Sequence, residues 1–198
     1  MEVGKRPFNM RYLLLHKPYG VLTQFTDLSG RHTLKEFVNV PAVYPVGRLD
    51  HDSEGLLLLT DDGPLQHRLS NPRFEHPKTY WVQVERIPTA DALAQLTAGV
   101  EIQGYRTKRA LVRLMDGEPA PLAPRDPPVR FRKTVPTVWL ELTISEGKNR
   151  QVRHMTAAIG HPALRLIRFA IGHLTLGELK PGEWRDLTAT ERQELERS

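Results

Sequence analysis

Gly47-Arg48-Leu49-Asp50-His51-Asp52-Ser53-Glu54-Gly55 runs straight into Leu56-Leu57-Leu58-Leu59-Thr60, so a polar turn carrying three acids meets four consecutive leucines. Apolar residues in an unbroken run of this length fit a buried core strand. A carboxylate at the mouth of such a strand is attached to a rigid element. Asp50, after Arg48 and Leu49 at the start of the turn, is therefore a candidate for nucleophilic or acid/base work. The plain alternative is a solvated acidic turn that caps a strand.

The same turn also resembles a metal loop, because Asp50, Asp52, Glu54, Gly55 and Asp61 share part of the spacing of an EF-hand. Such a loop needs flanking helices and oxygen ligands at its later positions, and here Leu56 to Leu59 occupy them. A magnesium site on two of the acids would compete with Arg48. No metal is expected.

Outward from the turn, strands and helices alternate. Tyr12 to His16 reads as a strand, Lys17-Pro18-Tyr19-Gly20 as a turn, and Val21 to Phe25 as the returning strand. Thr33 to Val38 fits a short helix, with Thr33 as N-cap and Glu36 completing a capping box. Asp62 or Gly63 opens a helix through Leu69. Thr79 to Glu85 alternates as a strand, with Tyr80, Val82 and Val84 on one face. Thr89 caps a helix over Ala90 to Ala98 that stops at Gly99. Val100 to Gln103, Tyr105 to Met115 and Val138 to Ser145 follow as strands. Glu146-Gly147-Lys148-Asn149 then starts a helix of roughly three turns toward Gly160, with Val152, Met155 and Ile159 on its apolar stripe. Leu164 to Leu176 supplies one or two more strands, and Thr188 or Thr190 caps a last helix. The class is α+β, a large, mostly antiparallel sheet with helices packed on it.

Composition narrows the function. The 198 residues carry 28 Lys and Arg against 23 Asp and Glu, a net charge of +5 that alone only hints at an anionic partner. Distribution says more. Gly147 to Gly177 holds no acid but includes Lys148, Arg150, Arg153, Arg165 and Arg168. Further basic groups lie at Arg106, Lys108, Arg109 and Arg113, and at Arg125, Arg130, Arg132 and Lys133. Such grouping fits a phosphate-backbone footprint. There is no cysteine, which removes disulfides and thiolate chemistry. Residues 1–10 form a loose polar tail without the apolar stretch of a signal peptide, and no run approaches membrane-spanning length. A cytoplasmic protein is expected, with the Pro-rich segment 118–129 as a mobile surface loop.

Two side-chain groups bear chemistry beyond the turn. Arg150 and Arg153 share a helix face at the margin of its apolar stripe, where arginines pair with carboxylates or hold phosphates, or simply form an exposed basic face. Gly147 at that helix start would offer free amides to an anion. Tyr80 lies on a strand, as a site residue or as a plain core aromatic. The histidines show no metal-ligand spacing.

Taken in order, Lys17-Pro18-Tyr19-Gly20, Gly47-Arg48-Leu49-Asp50 through Thr60, Lys78-Thr79-Tyr80 and Glu146-Gly147-Lys148-Asn149-Arg150-Gln151-Val152-Arg153 resemble the motifs of RNA pseudouridine synthases, in the branch that modifies ribosomal RNA. The resemblance runs from about Arg11 to Leu187. It implies a pseudouridine synthase catalytic domain over 11–198, built as two subdomains sharing one sheet around an RNA-binding cleft. It also implies a cofactor-free isomerase that breaks the N-glycosidic bond of one uridine in 23S rRNA, turns the base and rejoins it through C5. On this resemblance Asp50 is the catalytic aspartate, Tyr80 packs on the target base, and Arg153 ion-pairs with Asp50. Arg48, Lys17, Lys148, Arg150, Arg165 and Arg168 are the expected RNA contacts.

Two departures from the pattern stand out. Relatives in this branch often carry an N-terminal S4-type RNA-binding domain, for which a first strand near Arg11 leaves no room, so substrate selection is expected from the catalytic domain, its loops or the Pro-rich segment; a monomer is expected. His154 stands where many relatives have a second arginine. A reading of another class is a non-catalytic RNA-binding or ribosome-assembly protein on the same scaffold, which would not need Asp50, Tyr80 and Arg153 together.

Overall fold

The computed structural model of the chain describes residues 10–70, 75–130 and 134–197. All but Met10 of the expected N-terminal tail lies outside them, as do Arg132 and Lys133. In chain order the elements are β1 (Tyr12–Lys17), a 3-10 turn at Leu34–Glu36, β2 (Tyr44–Pro45), β3 (Glu54–Thr60), α1 (Gly63–Ser70) and β4 (Lys78–Glu85). Then come α2 (Ala90–Ala98), β5 (Glu101–Ile102), β6 (Tyr105–Arg106), β7 (Leu111–Leu114), β8 (Thr137–Ile144) and α3 (Gln151–Ala158). β9 (Ala163–Ile171), β10 (Leu174–Thr175), β11 (Trp184–Asp186) and α4 (Ala189–Arg197) complete the fold.

A 9-stranded sheet runs β11-β1-β3-β9-β4-β8-β7, with β10 on β9 and β2 on β3. β3 and β9 pair in parallel, and the other described ladders of this sheet are antiparallel. The leucine run explains the centre. Leu56 and Leu58 pack toward Tyr12, Leu14, Ile167 and the α1 leucines, while Leu57 and Leu59 pack toward Leu13, Leu15, Leu34 and Val43. A strand covered on both faces has no use for alternation. β4 and β8 instead present Tyr80, Val82, Val84, Leu140, Leu142 and Ile144 to α2 and α3 through Leu96, Val152 and Met155.

Several local signals act as the sequence implies. Thr89 Oγ1 accepts from the Ala92 amide at 3.2 Å, Thr188 Oγ1 from the Glu191 amide at 3.2 Å, and the Glu36 carboxylate from the Thr33 amide at 3.1 Å. Gly55 in β3 has φ +108, and a Cβ there would stand 2.4 Å from the carbonyl oxygen of Arg168. Only glycine lets β3 approach β9 this closely, directly behind the acidic turn.

Three expected elements differ. Val21 to Phe25 does not return as a strand, and Leu22 makes only an isolated bridge to Thr33. The reason is topological: β1 already has β3 on one edge and β11 on the other, so no ladder is left for the segment after the turn. The strand expected over Tyr105 to Met115 splits into β6 and β7, because Thr107 and Ala110 bond the end of α2 and its exit instead. α3 starts only at Gln151, so Gly147 is not at its N-terminus. Arg150 ahead of it is left-handed at φ 50, which no helix can continue.

The Pro-rich segment is tied to the body. Its Arg125 guanidinium lies 4.2 Å over the Tyr19 ring, and the Ala123 carbonyl accepts from Arg165 at 2.9 Å.

Candidate active site

Asp50 sits in a turn that is fixed from several sides. Leu49, just ahead, is buried, and Thr23 Oγ1 brackets its backbone, donating to the Leu49 carbonyl at 2.6 Å and accepting from its amide at 3.2 Å. The Gly20 amide donates to the His51 carbonyl at 2.9 Å, and the Ser53 amide to the Asp50 carbonyl at 3.0 Å. The Asp50 side chain is 33% exposed, with an Arg150 Nη1 at 3.7 Å. Backbone order around a half-open carboxylate is the arrangement a pre-organised reactive group requires.

That carboxylate borders a cavity of about 620 Å³. Asp50, Arg48 and Ser53 line it from the turn, Lys148 and Arg150 from the entry to α3, and Lys78, Tyr80 and Arg168 from β4 and β9. Tyr80 and Arg168 are cross-strand partners, so they share the face of the sheet that forms the floor. A volume in this range takes one nucleotide, and its polar side chains are cationic apart from Asp50, Ser53, Tyr80 and a few amides and hydroxyls.

The family model described as RNA pseudouridylate synthase matches residues 11–158. The chain belongs to the RNA pseudouridylate synthase family. It is 59% identical over 175 residues to the "Ribosomal large subunit pseudouridine synthase E" of Xanthomonas campestris pv. campestris, covering 87% of this chain and 93% of that one. A protein of the same name from Vibrio parahaemolyticus is 50% identical over 179 residues, covering 90% of this chain and 74% of that one. Among solved structures, a pseudouridylate synthase crystal structure superposes with a TM-score of 0.79 at 32% identity, covering 94% of this chain and 74% of that one. The α+β fold and the enzyme class read from the sequence are those of the family.

Within this synthase fold the nominated residues fall into two sets. Asp50, Tyr80, Arg48, Lys148, Arg150 and Arg168 meet at the cavity; Arg153, Lys17 and Arg165 do not. The expected Asp50–Arg153 ion pair is not made. Arg153 Nη2 donates to the Asp52 carbonyl at 2.6 Å and Nη1 to the Ala163 carbonyl at 3.3 Å, while its Nε stands 3.4 Å from the Asp52 carboxylate. Arg150 holds Asp52 with two bonds of 2.7 Å. Because α3 begins after Arg150, that side chain swings to the turn and meets the outward acids, whereas Arg153 lies beneath the turn and clamps its backbone. His154 faces the Gln103 amide at 3.3 Å instead of the cavity.

Lys17 and Arg165, both expected as RNA contacts, are buried and lie outside the lining of the cavity. Lys17 Nζ donates to the carbonyls of Pro18 at 2.9 Å and Val21 at 2.7 Å, closing the turn after β1. Burial lowers its pKa to about 8 against the pull of nearby Glu54, Asp52 and Asp50. Arg165 forks onto Glu54 at 2.9 and 2.7 Å. Two of the three acids in the turn are thus already neutralised, Asp52 by Arg150 and Glu54 by Arg165. Among the described residues no group of three His, Cys, Asp or Glu side chains converges to hold a metal.

Lys78 was not singled out from the sequence as a site residue. It stands two positions before Tyr80 on the same strand face, and that alternation was the available signal. Its amine donates to the His76 carbonyl at 2.9 Å, and burial followed by the Arg168 charge lowers its pKa.

Asp52 gives a prediction about the loop. The hydrogen bonds from Arg150 hold its carboxyl below the usual value of 3.8. A depressed carboxylate stabilises the fold fully above that value and loses the contribution as pH falls through the lower folded-state value. Asp52→Asn is expected to cost about 1 kcal/mol at neutral pH, since the bidentate pair is partly solvent-screened. Turnover should fall about tenfold as the turn carrying Asp50 loosens. Denaturant melts of both proteins from neutral to acid pH check this. A stability gap that persists below the carboxylate range would show that charge is not its source.

Proposed function

We propose that this chain converts one uridine of large-subunit 23S ribosomal RNA to pseudouridine, as a cofactor-free cytoplasmic monomer. The observation that carries the reading is the meeting of Asp50, Tyr80 and a basic rim around one nucleotide-sized cavity. Relatives 59% and 50% identical, both named for the large ribosomal subunit, support the choice of RNA. Among the described residues no helix is long and apolar enough to cross a membrane.

A base cannot turn while stacked, so the target nucleotide must leave the helix and enter the cavity. Arg48, Lys148 and Arg150 at the rim are suited to flanking phosphates, and Tyr80 to the face of the base. Asp50 then either bonds to C1′ or takes the C2′ proton. In both routes the electron pair of the C1′–N1 bond leaves with the base. After rotation C5 bonds to C1′, the C5 proton is lost, N1 gains a proton and Asp50 is restored. No observation favours the non-catalytic alternative.

Pseudouridine mapping of rRNA from cells with and without the gene tests the reading. One site in 23S rRNA should disappear on deletion and return with the wild-type gene only. An unchanged map of 23S rRNA would refute it.

A further inference from the structure

Arg168 is 3% exposed, and its Nε donates to the Leu56 carbonyl at 2.8 Å. Its Nη2 is buried and has no hydrogen-bond partner among the described residues, although it borders the cavity. A buried guanidinium donor without an acceptor bears its desolvation cost uncompensated. Ser53 Oγ, just ahead of the β3 residues that pair with β9 and in the turn that carries Asp50, is likewise buried and has no hydrogen-bond partner among the described residues. Two orphaned polar groups facing one cavity point to a polar ligand edge between them.

Depth decides what that edge is. Phosphates of an extruded nucleotide stay with the backbone at the rim, where Arg48 and Lys148 are exposed. Arg168 is on the floor, the direct cross-strand partner of Tyr80, where only the base can reach. A base leaving with the glycosidic electron pair becomes an anion whose charge spreads from N1 onto its carbonyl oxygens. We propose that Arg168 Nη2 donates to a carbonyl oxygen of the uracil and stabilises the anion released when the C1′–N1 bond breaks. Ser53 Oγ bonds the same polar edge. This assignment rests on the isomerase reading. It makes Arg168 a catalytic residue, with a donor that strengthens as charge develops in a water-poor site.

The test compares wild type, Arg168→Met and Arg168→Lys on transcribed 23S rRNA containing uridine or 5-fluorouridine, under single turnover, with nucleoside digests reading pseudouridine from the first RNA and, because a fluorinated C5 has no proton to lose, the rearranged and hydrated C5-glycoside from the second. Fluorine makes the base a better leaving group, so it needs less help. Arg168→Met should lose about 100-fold in rate on uridine, the effect of removing one such donor. On 5-fluorouridine it should lose about tenfold or less, with KM little changed on either. Arg168→Lys keeps a cation on the floor without the fork and should show the same leaving-group dependence. Equal losses on both RNAs, a change confined to KM, or full activity would overturn the role. A third arm uses only the wild-type protein and so does not depend on the variants folding. Free 5-nitrouracil, an anion at neutral pH, should inhibit at least tenfold more strongly than uracil, and equal inhibition counts against the proposal. Wild-type protein inactive on uridine RNA would instead overturn the isomerase reading itself.

Discussion

Asp50→Ala and Asp50→Asn are each expected to lower pseudouridine formation by about 10⁴-fold or more, below the background of a nucleoside digest assay. Melting temperature and RNA affinity should hardly move. The asymmetry follows from what Asp50 touches. Its carboxylate makes one contact within ion-pair range among the described residues, Arg150 at 3.7 Å, and a partly exposed pair at that distance contributes at most about 1 kcal/mol. The order of the turn rests instead on the Leu49, Asp50 and His51 backbone groups and on Asp52, none of which the substitution removes. Chemistry and structure are therefore divided between neighbouring acids. Asp50→Asn should show the loss with the least disturbance, because the amide keeps the shape and removes the charge. Retention of even a hundredth of wild-type turnover in Asp50→Ala would move the chemistry elsewhere. The cavity offers no second carboxylate for it, since Asp52 does not border the cavity and is forked by Arg150.

What the sequence could and could not convey is clear at the same turn. Strand identity was legible because burial leaves periodic marks: the alternation of Thr79 to Glu85 and Val138 to Ser145, and the solid leucine run of β3. Caps were legible because Thr89 and Gly99 act within a few residues of their helix. Partner choice across about a hundred positions was not. Asp50 and Asp52 differ by one residue between them, and whether Arg150 or Arg153 faces each acid depends on where α3 begins. The left-handed Arg150 sets that point, and no local signal marks a non-glycine residue there. Val21 to Phe25 has strand-like composition and fails as a strand only because both edges of β1 are occupied by distant segments. Charge alone does not say what a side chain faces. Lys17, Arg165 and Arg168, all expected as RNA contacts, belong to β1 and β9, strands with neighbours on both edges. Any charge on such a strand must face a partner, a carbonyl or a cavity.

Arg165 shows the energetic side of that rule, and Arg165→Met should produce the largest loss of stability. Glu54 and Arg165 are 2% and 4% exposed, joined by two bonds across the parallel β3–β9 junction, with a further Arg165 donor on Ala123 of the Pro-rich segment. Removing the arginine leaves the Glu54 carboxylate buried without its counter-charge, which costs about 3–5 kcal/mol. For a chain of this length that corresponds to a melting point lower by about 10 °C. The pair itself need not be net stabilising, since desolvating both groups offsets most of their attraction. Glu54→Leu combined with Arg165→Met should therefore recover most of the loss, and a double-mutant cycle followed by thermal melts reads the coupling directly. Independent, additive losses would mean the two groups are not coupled. The same variant separates burial from RNA contact. At a temperature where Arg165→Met is folded its RNA affinity should equal that of wild type, whereas Lys148→Ala should weaken binding and flatten its salt dependence. A matching loss in Arg165→Met would put that guanidinium on the RNA after all. If instead only stability changes, the arginine serves the reaction at one remove, by fixing the start of β3 and with it the turn that carries Asp50.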